Sequence, residues 1–442
     1  MAGAAGDTAG ARCPGGVLPR RITAVDTTNA LRGTLRPVLA DRNARLCLAT
    51  VLVSGFGSTA LWLTAGIWVK DRTGSDSLAA LCAFALWAPQ LAGPLLGALA
   101  DRHRRRPLLL AGNLALAPLV ASLCLAGSRL WYVLGVLFLY GALGAVLDAA
   151  ETALVATALD GALLGAMNGL RTAAGEGTKL LAPLAGAALY TAFGIRAVAL
   201  LDAASFLLTA WLVLLLRVRE SPPPRTGDRL ARTLAGARHL RHTAALRPLV
   251  LAAGATLGLA GLNGALLFAV VDRGLGRPAT FAGMLYAAQG AGSVLCGLAS
   301  GALLRRCGER GLAVLGIGVF AVAVALRALP YAPLAVGCSL LIGAGLPCVL
   351  IAAFTAVQRG TPPALLGRVA ATASTVVFVP NALALGLGSG LVAVADHRLL
   401  LGLAGAAGLL CAGALARTGA GSRTGGSGGR RPPGRPENIS PG

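Results

Sequence analysis

The 442-residue chain is 56% hydrophobic and only 13% charged, with a mean hydropathy of +0.73. Soluble domains carry about 25% charged residues, so the composition excludes a soluble enzyme or binding module and points to a polytopic membrane protein. The net charge of +22 does not indicate nucleic acid, because the basic residues lie in short segments between apolar runs, where they orient a membrane protein.

Residues 1–45 form a polar segment with Arg20, Arg21, Arg32, Arg36, Arg42 and Arg45, and lack the apolar core and cleavage site of a signal peptide. The run 46–69 is the first one long enough to span, since a core of ~30 Å needs ~20 helical residues. Further runs follow near 78–100, 107–128, 130–156, 164–190 and 196–216. After a polar interval come 248–271, 281–304, 311–329, 332–357, 366–394 and 397–416. The predicted fold is an all-α integral membrane protein with twelve transmembrane helices in two pseudo-symmetric six-helix bundles, 46–216 and 248–416. Gly and Ala abound in the runs, which permits close helix–helix approach in lipid.

The interval 217–247 reads as a cytoplasmic linker. Pro222, Pro223 and Pro224 stop the sixth span. Leu230, Leu234, Ala237 and Leu240 then give an apolar stripe at helical spacing, flanked by Arg229, Arg232, Arg238 and Arg241, as in a helix lying on the inner leaflet. Residues 417–442, rich in Gly, Ser, Pro and Arg, are expected to be a disordered cytoplasmic tail.

Charge asymmetry sets the expected topology. With an inside amino terminus, the inside segments hold Arg102 to Arg106, the linker arginines, Arg305, Arg306, Arg310, Arg359, Arg368 and the tail arginines. The outside loops hold only scattered charges, among them Lys70, Arg273 and Arg327. A multi-pass protein of the cell's inner or plasma membrane with both termini cytoplasmic follows.

Three sets of residues could carry chemistry. The first is the turn after the second run, Gly97-Ala-Leu-Ala-Asp101-Arg102-His-Arg104-Arg105-Arg106, echoed by Gly301-Ala-Leu-Leu-Arg305-Arg306-Cys-Gly308-Glu309-Arg310. Gly97 suits close packing of the second span on a neighbour. Asp101 could accept hydrogen bonds from the amino end of another helix, with Arg102, Arg105 and Arg106 beside it as an inner gate. The echo puts Arg305 where the first copy has Asp101.

The second set is intramembrane charge: Asp148 and Glu151 in the fourth span, Arg171, Glu176 and Lys179 in the fifth, and Asp202 in the sixth. A charge near the midplane costs ~2.5–3.5 kcal/mol on a translocon scale, so these groups should face one another or a water-filled cavity. Asp148 or Glu151 opposite Arg171 or Lys179 is the expected pairing, and the acids are candidates for proton coupling. The third set is the helix-5 packing stretch Ala182-Pro183-Leu-Ala-Gly186-Ala187, with Trp62, Asn263, Gln289, Gln358 and Asn381 as substrate-cavity candidates. The nine cysteines have no CxxC spacing and the four histidines lie in or beside loops, so no metal and no cofactor is expected.

These residues resemble the major facilitator superfamily over about 45–416. The turn at Gly97–Arg106 is similar to the family's G-x-L-A-D-R-x-G-R-R signature, departing at Arg104. Thr73-Gly74-Ser75, Asn168-Gly169 and Asp202-Ala-Ala-Ser205-Phe206 resemble the drug- and siderophore-exporter branch that includes macrolide efflux proteins. The helix-5 stretch is similar to the antiporter signature G-P-x-x-G-G, with two glycines replaced by Ala. The resemblance implies alternating access around a central site between two six-helix halves. The expected activity is proton-coupled export of a small amphipathic molecule, by a monomer in the lipid bilayer with no nucleic-acid partner and no enzymatic role. An importer on the same fold, a membrane sensor and a polytopic membrane enzyme are the alternatives.

Overall fold

The computed structural model describes residues 40–100, 102–127, 129–158, 161–218, 237–243 and 245–424. Among these every regular element is helical. In lipid, a helix satisfies its backbone hydrogen bonds internally, and the long apolar runs of the sequence become helices of matching length.

Helix α1 is Arg42–Thr73. Helix α2 (76–100) is assembled from Asp76–Trp87, a 3-10 turn Ala88–Ala92 with Pro89 in its first turn, and Gly93–Ala100. Pro removes a backbone donor and clashes with the preceding turn, which accounts for the irregular middle. Helix α3 is Arg105–Ala121, extended by Ser122–Leu125, and α4 is Leu130–Ala158. The helical stretch Gly161–Leu215 is interrupted at Gly194 (φ 74°), giving α5 (161–193) and α6 (195–215). Helix α7 is Leu246–Ala265, continued by Leu267–Ala269 and a π turn Val270–Gly274. Phe281–Leu326 is interrupted in the same way at Gly308 (φ 67°), giving α8 (281–307) and α9 (309–326). Helices α10 (Ala332–Gly360), α11 (Pro363–Val394) and α12 (His397–Thr424) complete the chain. At Gly194 and Gly308 the left-handed backbone lets the chain reverse between two spans without a loop, at no Cβ penalty.

Nine of the described helical segments are long and apolar enough to cross a membrane. With two of them folded back on themselves and α2 added, the arrangement is consistent with twelve spans. Helix α12 runs to Thr424, past the expected end at 416. The proposed linker helix lies mostly outside the described residues, although 237–242 is helical.

The proximal face carries the start of α1, the α2–α3 connection, Gly308 and the end of α12. The distal face carries the α1–α2 connection, Gly194 and the end of α7. One apolar core is drawn wholly from the first half of the chain, from Ala44 to Leu216, and two others wholly from the second half. Two smaller clusters cross between halves. One joins Leu63, Ile67, Ala79 and Ala187 to Phe268, Val271 and Leu285, and the other joins Ala80 to Ala265 and Leu385. Both lie toward the distal face, so among the described residues the halves are cemented on one side only.

Candidate functional site

The distal face ends in an ionic knot between the halves. Lys70 lies in the last turn of α1 and Asp76 in the first turn of α2, where helix dipoles favour a cation and an anion respectively. Ser75 caps α2 by accepting from the Leu78 N–H. The tight α1–α2 connection brings Lys70 Nζ to 2.8 Å from Asp76 Oδ1, and the π turn after α7 brings Asp272 Oδ2 to 2.5 Å from the same ammonium. Arg273 Nε donates to Asp76 Oδ2 at 2.8 Å, and its Nη2 to the Val392 carbonyl of α11 at 3.0 Å. Ser77 Oγ donates to the Ser389 carbonyl. Asp272 belongs to the second half and Lys70 to the first, so the knot ties α1 and α2 to α7 and α11.

Below it, two aromatic rings meet across the halves. Trp62 of α1 packs edge-on to Tyr286 of α8, with centroids 4.9 Å apart. Helices α5 and α8 approach closely. A Cβ on Gly283 would lie 2.9 Å from the Pro183 carbonyl oxygen, and one on Gly290 would lie 2.7 Å from the backbone of Lys179 and Leu180. Gly186 faces Ala60 of α1, where a Cβ would stand 2.9 Å from a carbonyl oxygen. The Pro183–Gly186 stretch thus sits at contacts with both α8 and α1.

Deeper in the first half lie its intramembrane acids. Arg171 Nη2 of α5 is 3.8 Å from Glu151 Oε1 of α4, and Thr50 Oγ1 of α1 donates to the same oxygen at 3.3 Å. Asp148, one turn earlier on α4, is exposed and within electrostatic reach of Arg171. Glu176 and Lys179 pair with each other at 2.7 Å along α5. Asp202 stands apart, fully buried. Ser205 Oγ donates to its Oδ1 at 3.1 Å, the Tyr140 hydroxyl lies nearby, and Oδ2 has no hydrogen-bond partner. A Cβ on Gly57 would lie 2.5 Å from Asp202 Oδ1, so α1 supplies a glycine where this carboxyl fits.

Of the five cavity candidates, Asn263 and Gln289 line one small cavity together with Leu267, Leu285 and Tyr286, and Trp62 packs on the Tyr286 ring. Asn381 sits on α11 with its backbone carbonyl against Gly261. Gln358 does not join them, since it is exposed in the last turn of α10, at the proximal end. A run-end position on a span explains the difference: the apolar run continues past the depth of the site.

The basic turn after α2 has partners inside its own half. Arg105 Nη1 donates to the Ala153 carbonyl of α4 at 3.0 Å. Arg106 donates to the Val213 and Leu214 carbonyls of α6, the latter at 2.8 Å. Carbonyls near helix C-termini attract cations, so these arginines bind the turn to α4 and α6. Arg102 is exposed, and Asp101 lies outside the described residues. A Cβ on Gly97, or on Gly93, meets nothing within 4 Å, so the close packing expected of Gly97 is not made in this conformation. In this conformation the glycine edge of α2 has no close neighbour among the described residues. In the second half, Glu309 pairs with Arg359 at 3.1 Å, while Arg305 and Arg306 are exposed.

Sequence reasoning passed over two features. In the sequence the knot residues look like scattered loop charges, although Lys70 and Asp272 are separated by 202 residues, nearly the spacing of the repeated turns. Arg327 looks like a loop residue in the sequence, yet it is 3% exposed and lines the Asn263–Gln289 cavity. Among the described residues no group of three or more His, Cys, Asp or Glu side chains could hold a metal ion.

The sequence pattern of the Major Facilitator Superfamily matches residues 47–385. The fold is similar to the crystal structure of the nucleoside transporter NupG, at a TM-score of 0.66 and 12% identity, covering 86% of this chain and 99% of that one. It is similar to a bacterial homologue of the iron transporter ferroportin in an inward-facing state, at 0.64 and 19%, covering 85% and 98%. It is also similar to the POT family transporter PepTSo, at 0.68 and 12%, covering 86% and 98%. No curated protein sequence matches the chain. With three quarters of its length inside the family's pattern and the transporter fold throughout, this multi-pass membrane protein belongs to the Major Facilitator Superfamily.

Proposed function

We propose that the protein is a secondary active carrier, not an enzyme, that exports small amphipathic molecules in exchange for protons by alternating access. It acts as a monomer in the plasma membrane with both termini cytoplasmic, which makes the proximal face the inner one. The observation that carries this reading is the acid pair on α4: Asp148 and Glu151 lie one turn apart toward the proximal face, Glu151 3.8 Å from the Arg171 guanidinium and Asp148 within its electrostatic reach. Two acids facing one cation allow one carboxyl to load and release a proton while the other keeps the ion pair, which is the economy of an intramembrane proton relay. Asp148, exposed and without a salt bridge among the described residues, is the proton carrier, and Glu151 holds Arg171. The one-sided cementing of the halves supports alternating access, because it corresponds to a distal side closed while the proximal side stands open. The helix-5 stretch Ala182–Ala187 and the Thr73–Ser75 turn favour the exporter branch. The gate residues Gly97, Asp101, Arg102, Arg105 and Arg106 belong to the step that closes the proximal side.

The test uses ethidium as probe in everted membrane vesicles energised by respiration. Wild type should accumulate the dye, and a protonophore should abolish accumulation. Asp148→Asn should lose proton-driven accumulation while keeping dye exchange at equilibrium. Accumulation in right-side-out vesicles instead would reverse the direction, and an unaltered response of Asp148→Asn to the pH gradient would remove the coupling role.

A further inference from the structure

Arg327 is the C-cap that follows α9, where its N–H still bonds to the Ala323 carbonyl. Its side chain turns back into the second half and is buried at 3% exposure. No carboxylate among the described residues forms a salt bridge with it; the one polar side-chain partner is Asn263, whose Oδ1 accepts from Nη1 at 3.2 Å. The other edge of the guanidinium is idle, with buried Nε and Nη2 lacking any hydrogen-bond partner. Taking a cation out of water is costly even after relaxation, and an unpaired one is the worst case. The C-terminal dipole of α9 offsets only part of that cost. Buried structural arginines are paired, and among the described residues no acid pairs with this one.

What it faces is a polar recess. The cavity beside it, about 10 Å³ in this conformation, is lined by Asn263, Tyr286, Gln289 and Arg327 with Leu267 and Leu285. Nε and Nη2 form the edge of a guanidinium that donates to two oxygens side by side, the arrangement that makes arginine a carboxylate receptor. Tyr286 and Gln289 add neutral donors, and the two leucines supply an apolar wall. A single cation among neutral groups matches a monoanion better than a dianion.

We propose that Arg327, with Asn263, Tyr286 and Gln289, forms a subsite for the carboxylate of an amphipathic substrate. The proposal rests on the transport reading and narrows its substrate class to amphipathic acids. In this conformation the recess admits only a group of about water size, and Tyr286 is held by Trp62 of the other half. Separation of the halves at the distal side releases Tyr286, so the subsite fills its guanidinium when that side opens and empties when Trp62 returns.

The experiment uses the purified full-length protein in detergent and two probes of one shape, 1-naphthoate and the uncharged 1-naphthamide, with inorganic phosphate as a third. The readout is the thermal unfolding midpoint against probe concentration, which rises when the native state binds. The expected result is a saturable rise with naphthoate, none with naphthamide and a weaker one with phosphate. The naphthoate response should vanish in Arg327→Gln and weaken about tenfold or more in Arg327→Lys, which keeps charge and loses the fork. Should Arg327→Gln fail to fold, Arg327→Lys and the wild-type comparison of acid with amide decide the matter. Equal responses to acid and amide, a naphthoate response unchanged in the variants, or a stronger response to phosphate would each overturn the carboxylate subsite. Ethidium transport in proteoliposomes separates this from the carrier reading. Transport by wild type without Arg327-dependent naphthoate binding defeats the subsite alone. Arg327-dependent binding with transport of neither ethidium nor 1-naphthoate preserves the subsite and defeats the carrier reading.

Discussion

Removing the two cross-half ion pairs of the distal knot should tip the protein toward a distal-open conformation. Asp272→Asn deletes the Lys70–Asp272 pair and leaves Lys70 its neighbour Asp76; Arg273→Gln deletes the Arg273–Asp76 pair and leaves Asp76 its neighbour Lys70. Each lost pair joins one buried side chain to one that is about half exposed: Lys70 at 9% with Asp272 at 50%, and Asp76 at 6% with Arg273 at 44%. A fully buried pair broken on one side costs about 3–5 kcal/mol and an exposed one about 0.2–1 kcal/mol. A half-exposed pair whose buried member keeps a second partner falls between, at about 1.4 kcal/mol, or roughly a tenfold shift in the conformational equilibrium. The double variant should shift it roughly a hundredfold if the two effects add, and somewhat less if the shared network couples them. The assay is the rate at which a membrane-impermeant maleimide labels Ser389→Cys in a cysteine-depleted background. Ser389 lies beneath the knot at 6% exposure, so its labelling rate follows the open population. Arg277→Gln, an exposed neighbour outside the knot, should leave the rate unchanged. A rise of less than twofold in the double variant, or an equal rise in Arg277→Gln, would refute the reasoning.

Three further outcomes follow from the packing. A Cβ on Gly292 would run into the Leu340 carbonyl of α10, whereas one on Gly297 meets nothing within 4 Å. Gly292→Ala should therefore destabilise by about 1–3 kcal/mol through overpacking, and Gly297→Ala should be neutral or stabilising by up to about 1 kcal/mol from helix propensity, both read as thermal midpoints in detergent. Arg105→Gln removes a charged donor from the Ala153 carbonyl and should lower the midpoint by the equivalent of about 1.5–3 kcal/mol; Arg102→Gln, exposed, should not. Gly57→Ala should displace the Asp202 and Ser205 side chains it would meet at 2.5 Å and destabilise by about 1–3 kcal/mol, with Asp202→Ala in the same chain relieving part of the loss.

The spans were legible because membrane insertion is a local property: a run of ~20 apolar residues crosses wherever it occurs. Even the hairpin at Gly308 falls between the runs 281–304 and 311–329, within a few residues of its expected place. Intramembrane charge was legible for the same reason, and Glu151 and Arg171 lie on adjacent helices of one half. What sequence could not supply was any contact set by how two halves meet. Lys70 and Asp272 carry no local sign of each other, and each looks like an ordinary helix-end charge. Arg327 misled differently. A long side chain at a helix end usually snorkels to water, and only the folded arrangement reveals that this one turns inward. Gly97 shows the converse limit, because a glycine permits close approach without specifying the conformation in which it happens.

The two partners of Lys70 differ most in when they are made. Asp76 follows it by six residues, whereas Asp272 comes 202 residues later. At about 5–20 residues per second of synthesis, Asp272 leaves the ribosome roughly 10–40 s after the lysine does. Through that interval Asp76 neutralises the ammonium and lets the first two helices settle as a hairpin. The nearby acid thus guards the nascent chain, and the distant one marks the moment at which the second half docks.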